Sequence, residues 1–143
     1  TLKHEEIVGD DAMPLMDGAR ELLDLIQQLD IPRAVATSTR SAQALDRLEK
    51  ADLLHYFEFV VGGDQVTNSK PDPEIYLAAT QKLGCNPTSC LAFEDSENGV
   101  RAALGAGLRV IQVPDLVAPS ANVRALGHTI LASLRDVPGY HFD

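Results

Sequence analysis

Long apolar runs are missing from this sequence. None approaches the roughly 20 residues that a bilayer-spanning helix needs, which excludes a helical membrane span. A leader of charged, then apolar, then small residues is also missing from its start, and the reading is a cytoplasmic protein. Cysteine is scarce: Cys85 and Cys90 stand without a Cys or His cluster around them, so two buried, reduced thiols are expected rather than a zinc site or a disulfide. Basic residues are outnumbered, 12 Lys and Arg against 21 Asp and Glu, and are scattered without a block. Because affinity for a nucleic-acid backbone comes from Lys and Arg that release counterions, a formal net charge of -9 argues against a nucleic-acid partner. The same charge repels a phosphorylated metabolite unless a lysine or a metal gathers at the site.

What is present suits one ordinary domain: 143 residues, 45% hydrophobic and 23% charged, with no internal repeat, low-complexity stretch or linker. Ala19, Leu22, Leu23, Ile26 and Leu29 share one helical face after Asp17, a predicted N-cap, and Ile31-Pro32 stops that helix. A short strand follows at 33 to 37. The next helix, Ser41 to Lys50, is expected to face inward through Leu45 and Leu48. A strand is predicted at Phe57 to Val61, closed by Gly62-Gly63, and a helix begins at Asp72-Pro73 with Tyr76, Ala79 and Leu83 inward and Gly84 at its end. Cys90 to Phe93 and Leu108 to Val113 read as strands around a helix marked by Val100, Ala103 and Leu104. In the tail, 119 to 126 reads as helical and His128 to Leu131 as an edge strand. Strands and helices that alternate through short turns specify an α/β fold, a parallel sheet with helices on both faces.

In such a sheet the carboxyl ends of the strands converge on one rim, where ligands bind. Three polar stretches fall there. Thr37-Ser38-Thr39 offers a hydroxyl and backbone N–H groups that hold an anion, or simply caps a helix. In Ser69-Lys70-Pro71-Asp72-Pro73 the prolines stiffen the chain around Lys70, whose ammonium suits a phosphate or a carboxylate nucleophile. Glu94 and Asp95, just beyond an apolar strand, are hard oxygen ligands suited to magnesium, with a helix cap at Asp95 or Ser96 as the plainer alternative. Asn98-Gly99 reads as a site of close packing or of a tight helix entry, and Glu97 as a favourable charge in a first helical turn. A phosphate and magnesium site explains the three stretches together.

These residues resemble the haloacid dehalogenase superfamily, in its branch of phosphoglycolate phosphatase-like and β-phosphoglucomutase-like enzymes. "AVATSTR" is similar to the second motif, "NSKPDPEIY" to the third and "AFEDSENGVRAALGAGLRVIQV" to the fourth, and the match runs from about Met13 to Val113. The resemblance implies a Rossmann-like three-layer core. It gives Thr37 the phosphate-binding hydroxyl, Ser38 a backbone N–H for phosphate, Lys70 the neutralising charge, and Asp95 and Glu94 the magnesium. It further implies a magnesium-dependent phosphatase of small phosphorylated metabolites that works through an aspartyl-phosphate. A phosphomutase shares every one of these residues, a dehalogenase would leave Glu94 and Asp95 without a cation, and a noncatalytic remnant that binds phosphate or a partner is the reading from another class.

The same family has an Asp-x-Asp strand and a helical cap ahead of these motifs. Met16-Asp17-Gly18 has Leu15 where the first Asp belongs, and Ile7-Val8-Gly9-Asp10-Asp11 is short and differently spaced. Residues 1 to 12 are therefore read as the end of a cap and 13 to 143 as an incomplete core. Without a central strand the sheet is expected to split and to need a missing N-terminal segment, from this chain or another. The four histidines, His4, His55, His128 and His141, do not sit at strand ends as triad partners would.

Overall fold

The computed structural model describes residues 6–9, 14, 16–114 and 119–139. Among these residues six strands form one sheet: β1 (Glu6–Gly9), β2 (Arg33–Ala36), β3 (Val60–Val61), β4 (Cys90–Glu94), β5 (Arg109–Gln112) and β6 (Thr129–Ile130). Their spatial order is β3-β2-β1-β4-β5-β6 and every pairing is parallel. That order reverses direction between β1 and β4, the kind of switch point at which open α/β sheets leave a crevice beyond the strand ends.

The sheet is not split. Val8 pairs with Ala34 of β2 on one side and with Ala92 of β4 on the other, so the two strand edges expected to be bare are both covered. The stretch read as an incoming cap segment supplies the central strand. Four extended residues suffice because β2 and β4 present two complementary ladders, and pairing satisfies backbone groups that would otherwise be buried without partners. Asp10, Asp11, Leu15, His4 and His141 lie outside the described residues.

Helices cover both faces, and the period-two alternation of the strands decides which residue meets which helix. On one face α1 (Ala19–Gln28) packs Ala19, Leu22 and Ile26 onto Leu91, Phe93 and Ile111, while α2 (Ser41–Lys50) packs Ala44 and Leu48 onto Val35 and Val60. On the other, α3 (Glu74–Leu83) and α4 (Glu97–Gly105) bring Ile75, Tyr76, Ala79, Val100 and Ala103 against Ala36, Cys90, Ala92 and Val110. The tail forms a single turn, α5 (Ala121–Arg124), capped by Ser120, before β6. No helix of the described residues is long and apolar enough to cross a membrane.

Several local expectations are corrected. Asp17 does not cap α1. Gly18 holds that position with φ 84°, and Asp17 instead makes a bidentate ion pair with Arg135 at 2.8 Å, because the turn Leu134–Gly139 packs against the start of the helix. Leu29 and Leu45 are exposed; the buried stripe of α2 runs through Ala44 instead, one position round the helix. The strand expected from Phe57 narrows to Val60–Val61, although Glu58 N and Phe59 O still bond to Arg33 O and Val35 N. Cys85 and Cys90 are joined as a disulfide rather than standing as separate thiols: Gly84, with φ 79°, turns the chain off α3 so that Cys85 faces the start of β4.

Candidate phosphate and metal site

Each of the three polar stretches is held by its own local chemistry. After β2 the chain turns at Thr37, which is buried, with its N–H on Val61 O at 2.9 Å and its Oγ1 accepting the Thr39 N–H at 3.1 Å. Asp64, from the turn after β3, reaches across and accepts from both the N–H and the hydroxyl of Ser41, at 2.6 and 2.8 Å, at the start of α2. The Ser41 N–H is the main reason the Asp64 carboxyl titrates below the ordinary Asp range. These bonds take up the N–H groups of Thr37, Thr39 and Ser41, and no bond among the described residues takes up those of Ser38 and Arg40. Neither Thr37 nor Ser38 caps α2; its N-cap is Arg40, with no side-chain cap. Gly62 and Gly63 are required here, since a Cβ on Gly63 would meet the Ser38 carbonyl and one on Gly62 the Ser41 backbone.

Lys70 is aimed by a clamp that the prolines only begin. The Lys70-Pro71 peptide is cis. Asp72 Oδ1 accepts from Glu74 N at 3.0 Å, and the Glu74 carboxylate accepts from Thr67 N at 2.8 Å and Asn68 N at 2.9 Å, tying the loop back to the first turn of α3. Those backbone donors, Thr67 first, hold the Glu74 carboxyl below its usual range. The lysine thus turns inward, with its side chain only 3% exposed.

There Lys70 Nζ stands 2.5 Å from Glu94 Oε2 and donates to Ala36 O at 3.1 Å. One ammonium therefore links the end of β2, next to Thr37, with the end of β4. Alternation puts Glu94 on the same face as Cys90 and Ala92, beneath α3 and α4, so a carboxylate is fully buried among apolar neighbours. Tyr76 O–H, from α3, also donates to Glu94 Oε2, and the Lys70 ammonium lies 5.0 Å from the Tyr76 ring centroid. A Cβ on Gly99 would fall onto the Glu94 carboxyl, which is the close approach that makes glycine necessary at this point of α4. Asp95 follows at the rim, half-buried, and Ser96 caps α4 by accepting the Gly99 N–H at 3.1 Å.

The fold thus brings Thr37, Lys70 and Glu94 together, with Ser38 and Asp95 at the exits of the same two strands. Among the described residues no group of three or more His, Cys, Asp or Glu side chains forms a metal cage. The donor set still suits a hard cation of the magnesium type, which takes only one or two protein carboxylates with phosphate and water, and the missing Cβ of Gly99 makes the room that Glu94 occupies. Two contributors escaped the sequence reading. Tyr76 was legible only as an inward helical residue, although its hydroxyl required a buried partner. Asp64 sits in a short turn and carried no signal of its role.

Comparison with known proteins gives a consistent picture. A family model described as haloacid dehalogenase-like hydrolase matches residues 1–113. A phosphorylated carbohydrates phosphatase of Thermotoga maritima is 48% identical over 94 residues, covering 66% of this chain and 44% of that protein. A candidate beta-phosphoglucomutase from Thermotoga maritima superposes with a TM-score of 0.78 at 38% identity, over 86% of this chain and 57% of the other. CbbY from Rhodobacter sphaeroides, crystallised with xylulose-1,5-bisphosphate, gives 0.73 at 34% identity, over 85% and 55%. The chain spans about half the length of such relatives.

Proposed function

The chain belongs to the haloacid dehalogenase-like hydrolases, and on that premise we propose that the full-length protein is a magnesium-dependent phosphatase of small phosphorylated carbohydrates. The observation that carries this reading is Lys70, withdrawn from solvent and shared between Ala36 O and Glu94 at the sheet's switch point. A buried ammonium at a strand-end crevice suits an anionic substrate in a chain whose net charge would otherwise repel one. The names of the phosphatase and of the sugar bisphosphate complex support a phosphorylated carbohydrate as substrate class.

In this reading Thr37 and the Ser38 amide bind phosphoryl oxygens, and Lys70 neutralises charge on the phosphate and on the attacking carboxylate. Asp95 would hold magnesium, with Glu94 as the second carboxylate, direct or through water. Bound there, the metal would supply Lewis-acid stabilisation of charge on the transferring group. Phosphoryl transfer depends mainly on such positioning and electrostatics, so the clamps at Asp64 and Glu74 serve the chemistry by fixing the two loops. The attacking Asp is assigned to no described residue. A segment that brought Asp-x-Asp in on the central strand would have to displace Glu6–Gly9 from between β2 and β4.

The test is release of inorganic phosphate by the full-length protein from a panel of sugar phosphates, with magnesium and with EDTA. Magnesium-dependent release is expected, and release unaffected by EDTA would overturn the assignment. The resemblance to a candidate beta-phosphoglucomutase favours a second reading, in which the same site returns the phosphoryl group to sugar. An isomerised sugar phosphate in place of free phosphate would select it.

A further inference from the structure

We propose that Tyr76 is a positioning residue of this site, its hydroxyl locking the Glu94 carboxylate into the orientation that magnesium binding requires; the inference rests on the phosphatase reading above. Along α3 the inward face is Ile75, Tyr76, Ala79 and Thr80, and Tyr76 has no exposed surface. Packing alone would be served by phenylalanine. A tyrosine hydroxyl in so dry a place costs stability unless it finds a partner, and the partner it finds is Glu94 Oε2. Lys70 donates to that same oxygen.

The consequence follows from how few torsions then remain. Glu and Lys side chains have several rotatable bonds, and holding both in one geometry carries an entropic cost. Tyr76 reduces the freedom of each, because its hydroxyl fixes one oxygen of Glu94 while its ring lies beneath the Lys70 ammonium as a cation–π partner. α4 closes the opposite side, where the missing side chain of Gly99 admits the carboxyl. With one oxygen loaded by two donors and Gly99 against the other, the carboxylate is held in place from both sides. Its neighbour Asp95, half-buried at the rim, leaves β4 from that fixed anchor.

Tyr76→Phe in the full-length protein keeps the ring and its packing and removes only the hydroxyl. The expected result is a magnesium affinity, measured by calorimetric titration without substrate, weaker by about tenfold, the scale of one hydrogen bond to a charged group. Alongside it, kcat should fall with KM for the sugar phosphate unchanged, and the melting temperature in EDTA should fall only by the few degrees that loss of one buried hydrogen bond costs, leaving the protein folded at the assay temperature. Replacing Tyr76 by 3-fluorotyrosine, which alters the donor and hardly the shape, should give an intermediate magnesium affinity if the phenylalanine variant folds poorly. Wild-type magnesium affinity and kcat in Tyr76→Phe would overturn the inference and leave Tyr76 as packing. A wild-type protein that shows neither magnesium binding nor magnesium-dependent phosphate release would overturn the phosphatase reading and this inference with it.

Discussion

Lys70 and Glu94, 24 residues apart in sequence, meet at 2.5 Å with side chains 3% and 0% exposed. Such a pair is a poor source of net stability, since desolvation of both charges offsets their attraction, but removal of one partner strands the other. Lys70→Met should therefore cost about 3–5 kcal/mol in urea unfolding. The double variant Lys70→Met with Glu94→Gln should recover part of that loss, and a single variant as stable as the wild type would contradict the buried pair.

Gly99 and Gly105 lie in the same helix and should respond in opposite directions to alanine. Alanine is the better helix former by about 1 kcal/mol, and at Gly105 its Cβ would meet Pro73 at an ordinary 3.5 Å. At Gly99 the Cβ would land on the Glu94 carboxyl, so Gly99→Ala should lose about 1–3 kcal/mol as the buried cluster is forced apart. Chemical denaturation of the two variants side by side checks the contrast.

Asp95→Asn should leave the fold intact, because Ser96 and not Asp95 caps α4. If Asp95 holds magnesium in the phosphatase, activity should fall on the order of 100-fold or more, the scale of losing one electrostatic partner of the transition state. A fully active variant would remove Asp95 from the site.

Asp64 titrates below its ordinary value because it accepts from Ser41. A depressed carboxyl contributes stability above the unfolded-state value of about 3.9, and that contribution is lost as pH falls through the lower folded-state value. Asp64→Ala should thus flatten the acid limb of the melting-temperature profile below about pH 4. It should also raise KM for phosphate esters, through the loosened turn at Thr37 to Ser41.

His128 behaves in the opposite charge sense. Its Nε2 lies 2.8 Å from Gln112 Oε1, its Nδ1 is buried without a hydrogen-bond partner among the described residues, and burial pushes its pKa below the ordinary histidine value. Below about pH 6.5 the unfolded chain takes up a proton that the folded chain refuses, so stability should fall as pH drops through the window beneath 6.5. His128→Gln should abolish that slope, measured as urea midpoints between pH 5 and 7.5.

The sequence by itself determined the order of helices and strands from α1 to β6 and the three polar stretches, two at strand exits and one at the entry to α3. These follow from local causes: the helical stripe of Ala19, Leu22, Leu23 and Ile26, the apolar run ending at Glu94, the prolines around Lys70 and the glycine after α3. Tertiary structure decided what depends on surfaces that meet from far along the chain. It put Glu6–Gly9 into the central slot, because two open ladders gain more from a short strand than a sequence pattern of four residues reveals. It turned Asp17 to Arg135, 118 residues away, and it joined Cys85 to Cys90. It also chose the partner of the Tyr76 hydroxyl, since periodicity says that a side chain points inward and only packing says which buried charge waits there.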